Sequence, residues 1–265
     1  MGGRRIKLHL SNLGPIKHGE IELGDITLFV GKPNTGKSLA MRAIYQHLKE
    51  RGIKNIIYLH QLRFINAFLN DNKYNEKIYN LLKPLLKGEI KYIDGELVYV
   101  EKDKIIPLGR VSASILEILS FLLSVKEGSI ILYEEPETHL HEELQLLMGI
   151  ALYALSSFNR IVITTHSQTI FYTIAHLSML RPTKEELKDL FEDLKVKDYE
   201  ALMEAVEEAN QKEVKVRIYH FTEGGEVKEV SVDEAVKGMP GTIDVLEKEF
   251  KWFSSLHSKR LFGEA

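Results

Sequence analysis

The stretch Gly31-Lys32-Pro33-Asn34-Thr35-Gly36-Lys37-Ser38 carries a residue of the required type at every fixed position of the phosphate-binding pattern GxxxxGK[ST]. Glycines at 31 and 36 let the backbone come close to a ligand. Free N–H groups and the positive end of a helix dipole can then cradle a β-phosphate. Lys37 is placed to reach β- and γ-phosphate oxygens, and the Ser38 hydroxyl to ligate Mg²⁺. The competing reading is a glycine-containing turn with a solvated lysine. A second candidate lies where the apolar run Ile130-Ile131-Leu132-Tyr133 meets Glu134-Glu135. A carboxylate at the end of an apolar strand beside the phosphate-loop strand is where the acid that holds Mg²⁺ is expected. The carboxylate after it is placed to polarise an attacking water. Two glutamates at a strand end are, by themselves, more often a solvated edge; the phosphate loop upstream turns the balance.

These residues need strands and helices to bring them together, and the hydrophobic patterning supplies candidates. Ile6, Leu8 and Leu10, then Ile21 and Leu23, alternate with polar residues on either side of Gly14-Pro15, which predicts two half-exposed strands. Ile26 to Val30 reads as a strand buried on both faces, followed by the loop and a helix from about Lys37 with Ala40, Ala43, Ile44 and Leu48 inward. Asn55 to Leu59 reads as a further buried strand, so the order is that of a parallel βαβ unit. Residues 66 to 110 break the rhythm with a polar helix candidate (Tyr74, Ile78, Leu81, Leu82) that meets Pro84 and a hairpin, Ile90 to Val100, around Asp94-Gly95. An apolar helix (Ile115, Ile118, Leu119, Leu122), the Ile130 to Tyr133 strand, a helix with Leu144, Leu147, Met148, Ala151, Leu152 and Leu155, and the strand Ile161 to Thr165 then restore the alternation.

Beyond that point Thr183 and Glu186 form a capping-box pattern ahead of an acidic helical stretch to about Gln211. A last hairpin, Val214 to Phe221 and Val227 to Val232 around Gly224-Gly225, precedes a terminal helix with Leu246, Phe250 and Phe253. The expected organisation is a core at 1–180 with an inserted lobe at about 62–125, and an α/β extension at 181–265 packed on that core.

Composition narrows the classes. The 265 residues include no cysteine, which excludes disulfides, thiolate metal sites and a cysteine nucleophile. No stretch approaches the roughly 20 apolar residues of a membrane helix, and Met1-Gly2-Gly3-Arg4-Arg5-Ile6 lacks a signal-peptide core and a myristoylation serine or threonine at position 6. A cytoplasmic protein with no membrane partner is expected. With 35 Lys plus Arg against 38 Asp plus Glu, the net charge of −3 gives no global attraction to nucleic acid.

Glu134-Glu135-Pro136-Glu137-Thr138-His139-Leu140-His141 resembles the EEPExHLH form of the Walker B and D-loop region of non-transporter ABC-type ATPases, the group with SMC-like, RecF-like and OLD-like proteins. Ser11-Asn12-Leu13-Gly14-Pro15-Ile16 resembles the segment at the first lobe strands of that group, and Val162-Ile163-Thr164-Thr165-His166-Ser167 its switch strand. With the phosphate loop, the matches come in family order from residue 6 to about 170. The resemblance implies an α/β P-loop NTPase fold, an ABC-ATPase-like head with a mostly parallel central sheet, an N-terminal antiparallel part and an inserted helical and hairpin lobe. It implies ATP and Mg²⁺ as cofactors. Glu134 then takes the place of the Mg²⁺-associated acid, with Ser38 and the Q-loop residue Gln61; Glu135 that of the catalytic base; His166 that of the γ-phosphate switch, with Lys37. The nucleotide-binding set runs from Gly31 through Leu39, with Ser11 and Asn12, and with Ser112 of a partner copy. Ser112 stands at the signature serine of Val111-Ser112-Ala113-Ser114, whereas Ser114 stands where a glycine is usual, which would hinder phosphate approach. His139 and His141 fall in the D-loop, so packing or dimer contact fits them better than a metal pair.

Three functions follow. The first is an ATPase whose heads dimerise on ATP as a mechanical or signalling switch. The second is a slowly hydrolysing, nucleotide-controlled module that binds DNA or a protein effector. The third, a transporter nucleotide-binding subunit, is disfavoured by the EEPE form and the missing LSGGQ-like loop. No long heptad region separates the motifs, so an SMC-type arm is not expected, nor is a Toprim nuclease after residue 170. Lys83, Lys87 and Lys91 on the inserted lobe are the DNA-facing candidates, against the commoner solvating role.

Overall fold

A computed structural model describes residues 5–60 and 74–241 together with Trp252. Lys7–Leu13 (β1) and Ile16–Glu22 (β2) form the hairpin that alternation predicts, with Leu8 opposite Ile21 and Leu13 opposite Ile16. Ile26–Val30 (β3) is buried along its whole length, and its chain turns through the phosphate loop into Lys37–Glu50 (α1). α1 buries Ala40, Met41, Ile44 and Leu48, while Ala43 sits only half-buried at the rim of that face. Ile56–Leu59 (β4) follows.

The next described elements are Glu76–Leu82 (α2), capped by Asn75 through Ile78 N–H, and a short 3-10 turn that takes up Pro84. Glu89–Ile93 (β5) and Glu96–Glu101 (β6) make the expected hairpin, and the positive φ of Asp94 and Gly95 (53° and 85°) is the backbone that this two-residue turn demands. A third strand, Lys104–Pro107 (β7), joins them through Lys102-Asp103, again with both φ values positive (48° and 63°). Sequence reading gave no sign of it, because the turn has no glycine or asparagine.

Ala113–Ser124 (α3), Ile130–Glu134 (β8), Glu142–Leu155 (α4) and Arg160–Thr164 (β9) follow as expected. Gln168–Leu180 (α5) was not anticipated. The acidic helical stretch comprises two helices, Lys184–Asp193 (α6) and Glu200–Gln211 (α7): Lys195 and Asp198 adopt positive φ (54° and 56°) and turn the chain between them. The capping box of Thr183 and Glu186 is present at the start of α6. Val216–Phe221 (β10), Glu226–Val230 (β11) and the short Val232–Ala235 (α8) complete the described elements. The terminal helix expected around Leu246, Phe250 and Phe253, and Gln61, lie outside the described residues.

The main sheet has eight strands in the order β1-β2-β11-β10-β3-β9-β8-β4, and β5-β6-β7 form a separate small sheet. From β10 to β4 every pairing is parallel, as a chain of buried strands linked by helices requires. Three features differ from expectation. The acid-bearing β8 does not adjoin the phosphate-loop strand, since β9 lies between them. β4 is an edge strand with only Leu59 buried, not a strand covered on both faces. The hairpin β10–β11 is not on the outside of a finished core: it sits inside the sheet, joining the N-terminal hairpin to β3.

Alternation along the central strands sorts the core into two layers. Ile26, Leu28, Val30, Ile131, Tyr133, Ile161 and Ile163 pack against α3, α4, α5 and α7. Phe29, Ile130, Leu132 and Val162 face α1 and the curled N-terminal hairpin. Each such fully buried side chain contributes roughly 1.5–3 kcal/mol, and the two layers together hold the ends of β3, β8 and β9 in fixed relation. Among the described residues no helix is long and apolar enough to cross a membrane.

Candidate functional site

The phosphate loop takes the shape its glycines permit. Gly31 has φ 136° and faces the carbonyl oxygen of Phe221 so closely that a Cβ there would lie 2.4 Å from it. Gly36 has φ 101°, and a Cβ would meet Ile16 at 2.7 Å. Asn34, the third residue with positive φ (63°), is exposed, as is Pro33. Thr35 closes the loop by donating to the Lys32 carbonyl at 2.8 Å. Lys32 pairs with Glu223 at 2.8 Å, on the tip of the β10–β11 hairpin.

Gly36 is the N-cap of α1 and offers no side-chain cap, so the first amides of the helix are left for a ligand from outside. Lys37 is buried and folds back across the loop, donating to the carbonyls of Gly31 and Lys32, each at 2.8 Å. Burial lowers its pKa to about 8, against the pull of Glu135 and Glu137 in the other direction. The next side chain, Ser38, donates to Glu134 at 2.8 Å across 96 residues of sequence. Leu39 is in contact with the β1–β2 turn, where a Cβ on Gly14 would lie 2.5 Å from it. Ser11 and Asn12 are exposed on β1.

Glu134 ends β8 as a buried carboxylate. Besides Ser38 it accepts a hydrogen bond from the Tyr58 hydroxyl at the end of β4. Burial and then Glu134 raise the Tyr58 pKa far above the ordinary tyrosine value, so the phenol keeps its proton and donates. A hydroxyl and a carboxylate oxygen converging in this way form the hard oxygen donor set that Mg²⁺ prefers when it keeps waters and phosphate as its other ligands. No group of three or more His, Cys, Asp or Glu that could hold a metal occurs among the described residues.

One residue on, Glu135 turns out of the strand with φ 47°, its amide donating to the Thr164 carbonyl at 2.9 Å on β9. Its carboxylate lies 4.0 Å from His166 Nε2. The His166 pKa is lowered, by burial first and then by Lys37, while Glu135 opposes the shift. The imidazole is therefore neutral at pH 7 and has both a donor and an acceptor to offer. Glu137 accepts from Thr165 Oγ1 at 2.9 Å, from His166 N–H at 2.6 Å and from Ser167 N–H at 3.2 Å. His139 is exposed, and His141 is the N-cap of α4 without a side-chain bond.

The structure thus gathers Lys37, Ser38, Glu134, Glu135 and His166 at the C-terminal ends of β3, β8 and β9. Ser112 is elsewhere: it caps α3, accepting from Ile115 N–H at 3.4 Å, and its hydroxyl lies 3.0 Å from that of Ser114. Among the described residues it forms no hydrogen bond with the phosphate loop. Sequence reading missed Tyr58 and Glu137. Tyr58 carried only the signal of an aromatic with a polar tip ending an apolar strand, and Glu137 stood within a motif that gave it no task.

Residues 63–171 match the family described as AAA ATPase domain. No curated protein matches the sequence. Among solved structures, the SMC head domain from Thermotoga maritima is 13% identical with a TM-score of 0.49, covering 64% of this chain and 92% of its own. A dimeric bacterial ABC transporter cassette is 12% identical with a TM-score of 0.45, over 82% of this chain and 90% of its own. The post-hydrolysis state of an ATP-binding cassette bound to ADP and Pi is 12% identical with a TM-score of 0.46, over 86% and 96%. The family match begins beyond the phosphate loop and contains Glu134, Glu135 and His166. Together with the Gly31–Ser38 loop and the parallel sheet that carries it, this match supports an ATPase of the P-loop type.

Proposed function

We propose that the chain works as an ATP-driven head: two copies close over two ATP molecules, and hydrolysis opens them again, so that nucleotide state becomes a mechanical or signalling switch. The observation that carries this reading is the convergence of Lys37, Ser38, Glu134, Glu135 and His166 at one end of the sheet. On this reading Lys37 exchanges its two carbonyl acceptors for β- and γ-phosphate oxygens, and the amides of Gly36 to Leu39 bind the β-phosphate. Ser38 directly, and Glu134 through water, would hold Mg²⁺, which neutralises charge on the phosphate oxygens. Tyr58 keeps the Glu134 carboxylate turned towards Ser38. Glu135 accepts a proton from the attacking water, and neutral His166 donates to the γ-phosphate and registers its loss. Ser11 and Asn12 flank the nucleotide, and Ser112 of the second copy completes the site.

A second reading, a nucleotide-controlled binding module with slow hydrolysis, is favoured by Ser114. Its hydroxyl, in contact with that of Ser112, adds bulk where the partner's phosphate would approach. The partner in that case is DNA or a protein effector, and ATP turnover measured with and without DNA separates the two.

The decisive variant is Glu135→Gln. It is expected to bind ATP as the wild type does, to lose turnover by about a hundredfold or more, and to accumulate as a dimer in sedimentation with ATP. Undiminished turnover would remove Glu135 as the base, and a monomer at saturating ATP would reject the closed pair.

A further inference from the structure

The peptide amide of His166 is held by a carboxylate from another strand end. Glu137 lies two residues past Glu135 and accepts from three consecutive residues, Thr165, His166 and Ser167, with the His166 N–H bond shortest at 2.6 Å. A second link closes the arrangement. Gln145 on α4 accepts from the Ser167 hydroxyl at 2.6 Å and donates to the Leu140 carbonyl at 2.7 Å. The segment from 135 to 141 and the segment from 165 to 167 are therefore stapled at two points.

Helix capping alone does not account for Glu137. α5 already has its cap, Ser167, whose hydroxyl accepts from Ile170 N–H at 3.0 Å. A neutral hydroxyl supplies about as much as a cap can contribute, whereas sequestering a carboxylate costs free energy that charge-assisted bonds must offset. The group secured by that cost is the backbone of His166, whose imidazole lies beside Glu135 and near Lys37. We propose that Glu137 is the positioning residue of the hydrolytic site: by binding the His166 amide it sets where the imidazole stands relative to the γ-phosphate, and it makes the loop after β8 and the switch histidine move as one body. This rests on the ATPase reading for its consequence, but the Glu137–His166 link is itself a property of the protein without nucleotide.

The test is a double-mutant cycle on steady-state ATP hydrolysis with Glu137→Ala, His166→Ala and the pair. Because a displacement of about 1 Å can cost on the order of a hundredfold in rate, Glu137→Ala is expected to lower kcat by about tenfold or more and to leave KM within about twofold. The double variant should be no slower than His166→Ala alone, since one residue acts through the other. Glu137→Gln should recover most of kcat, its amide oxygen still accepting from His166 N–H. Losses that multiply in the double variant, wild-type kcat in Glu137→Ala, or a glutamine variant as slow as the alanine one would each overturn the proposal. If Glu137→Ala melts below the assay temperature, Thr165→Val, which removes one of the three donors, takes its place in the same cycle. The His166 imidazole resonance, followed by NMR without nucleotide, should shift in Glu137→Ala and hold in Glu137→Gln. An unmoved resonance sinks the link itself, whereas turnover persisting in Glu135→Gln sinks the hydrolytic reading and leaves the link standing.

Discussion

Two helix starts in this molecule are built in opposite ways. α3 begins with Ser112, whose hydroxyl accepts from Ile115 N–H, and the neighbouring Ser114 hydroxyl lies against it. α1 begins with Gly36 in a left-handed conformation and no side-chain cap. An N-cap hydroxyl contributes about 1 kcal/mol, so α1 forgoes a stabilisation that α3 takes. The same four unsatisfied amides are a liability in a free helix and a binding site where an anion arrives. On the proposed function, what α1 lacks locally is the opening for a phosphate, and what α3 has locally makes it self-sufficient until a second copy meets it.

The comparison breaks most sharply if α1 does not need its lysine. Lys37→Ala is expected to weaken ATP binding by a hundredfold or more, because the buried ammonium is the charge that the amides alone do not supply. Isothermal titration reads this directly, and retained affinity would transfer the site's strength to the backbone. Next in size is a pH effect. With Lys37 at about 8 against an ordinary 10.5, the unfolded chain holds a proton that the folded chain has released between those values. Without nucleotide, stability should therefore rise with pH from about 8 to 10.5 and stay flat, as far as this group is concerned, below 8. Bound phosphates favour the ammonium, so ATP affinity should fall by up to about tenfold per pH unit above 8, with proton uptake visible in calorimetry across buffers. α3 should show none of this: Ser112→Arg is expected to spare ATP binding by the monomer and to abolish ATP-dependent dimerisation in light scattering. The smallest effect is Ser112→Ala, a loss of about 1 kcal/mol in chemical unfolding with ATP binding unchanged.

The phosphate loop was legible because its residues are contiguous and their types are dictated by backbone geometry. The central strands were legible because being buried on both faces leaves an uninterrupted apolar run. Contacts made by distant residues were not. Tyr58 reaches Glu134 across 76 positions and Glu137 reaches His166 across 29, and nothing in the spacing of either announces the partner. The order of strands was also hidden, since β9 and β8 are equally apolar and only packing decides which lies beside β3. β7 escaped because its turn, Lys102-Asp103, takes positive φ at both residues without the glycine or asparagine that marks such turns in sequence.

The position of β10 bears on how the protein is made. β3 and β10 pair as neighbours, Ile26 with Val216, across 190 residues of chain. At a synthesis rate of about 5–20 residues per second, the phosphate-loop strand waits roughly 10–40 s after leaving the ribosome for the strand that supports it. Until then Gly31 has no Phe221 carbonyl behind it and Lys32 has no Glu223 beside it. The loop after β3, though encoded near the start, is therefore complete in its surroundings only once β10 and the turn after it have been made.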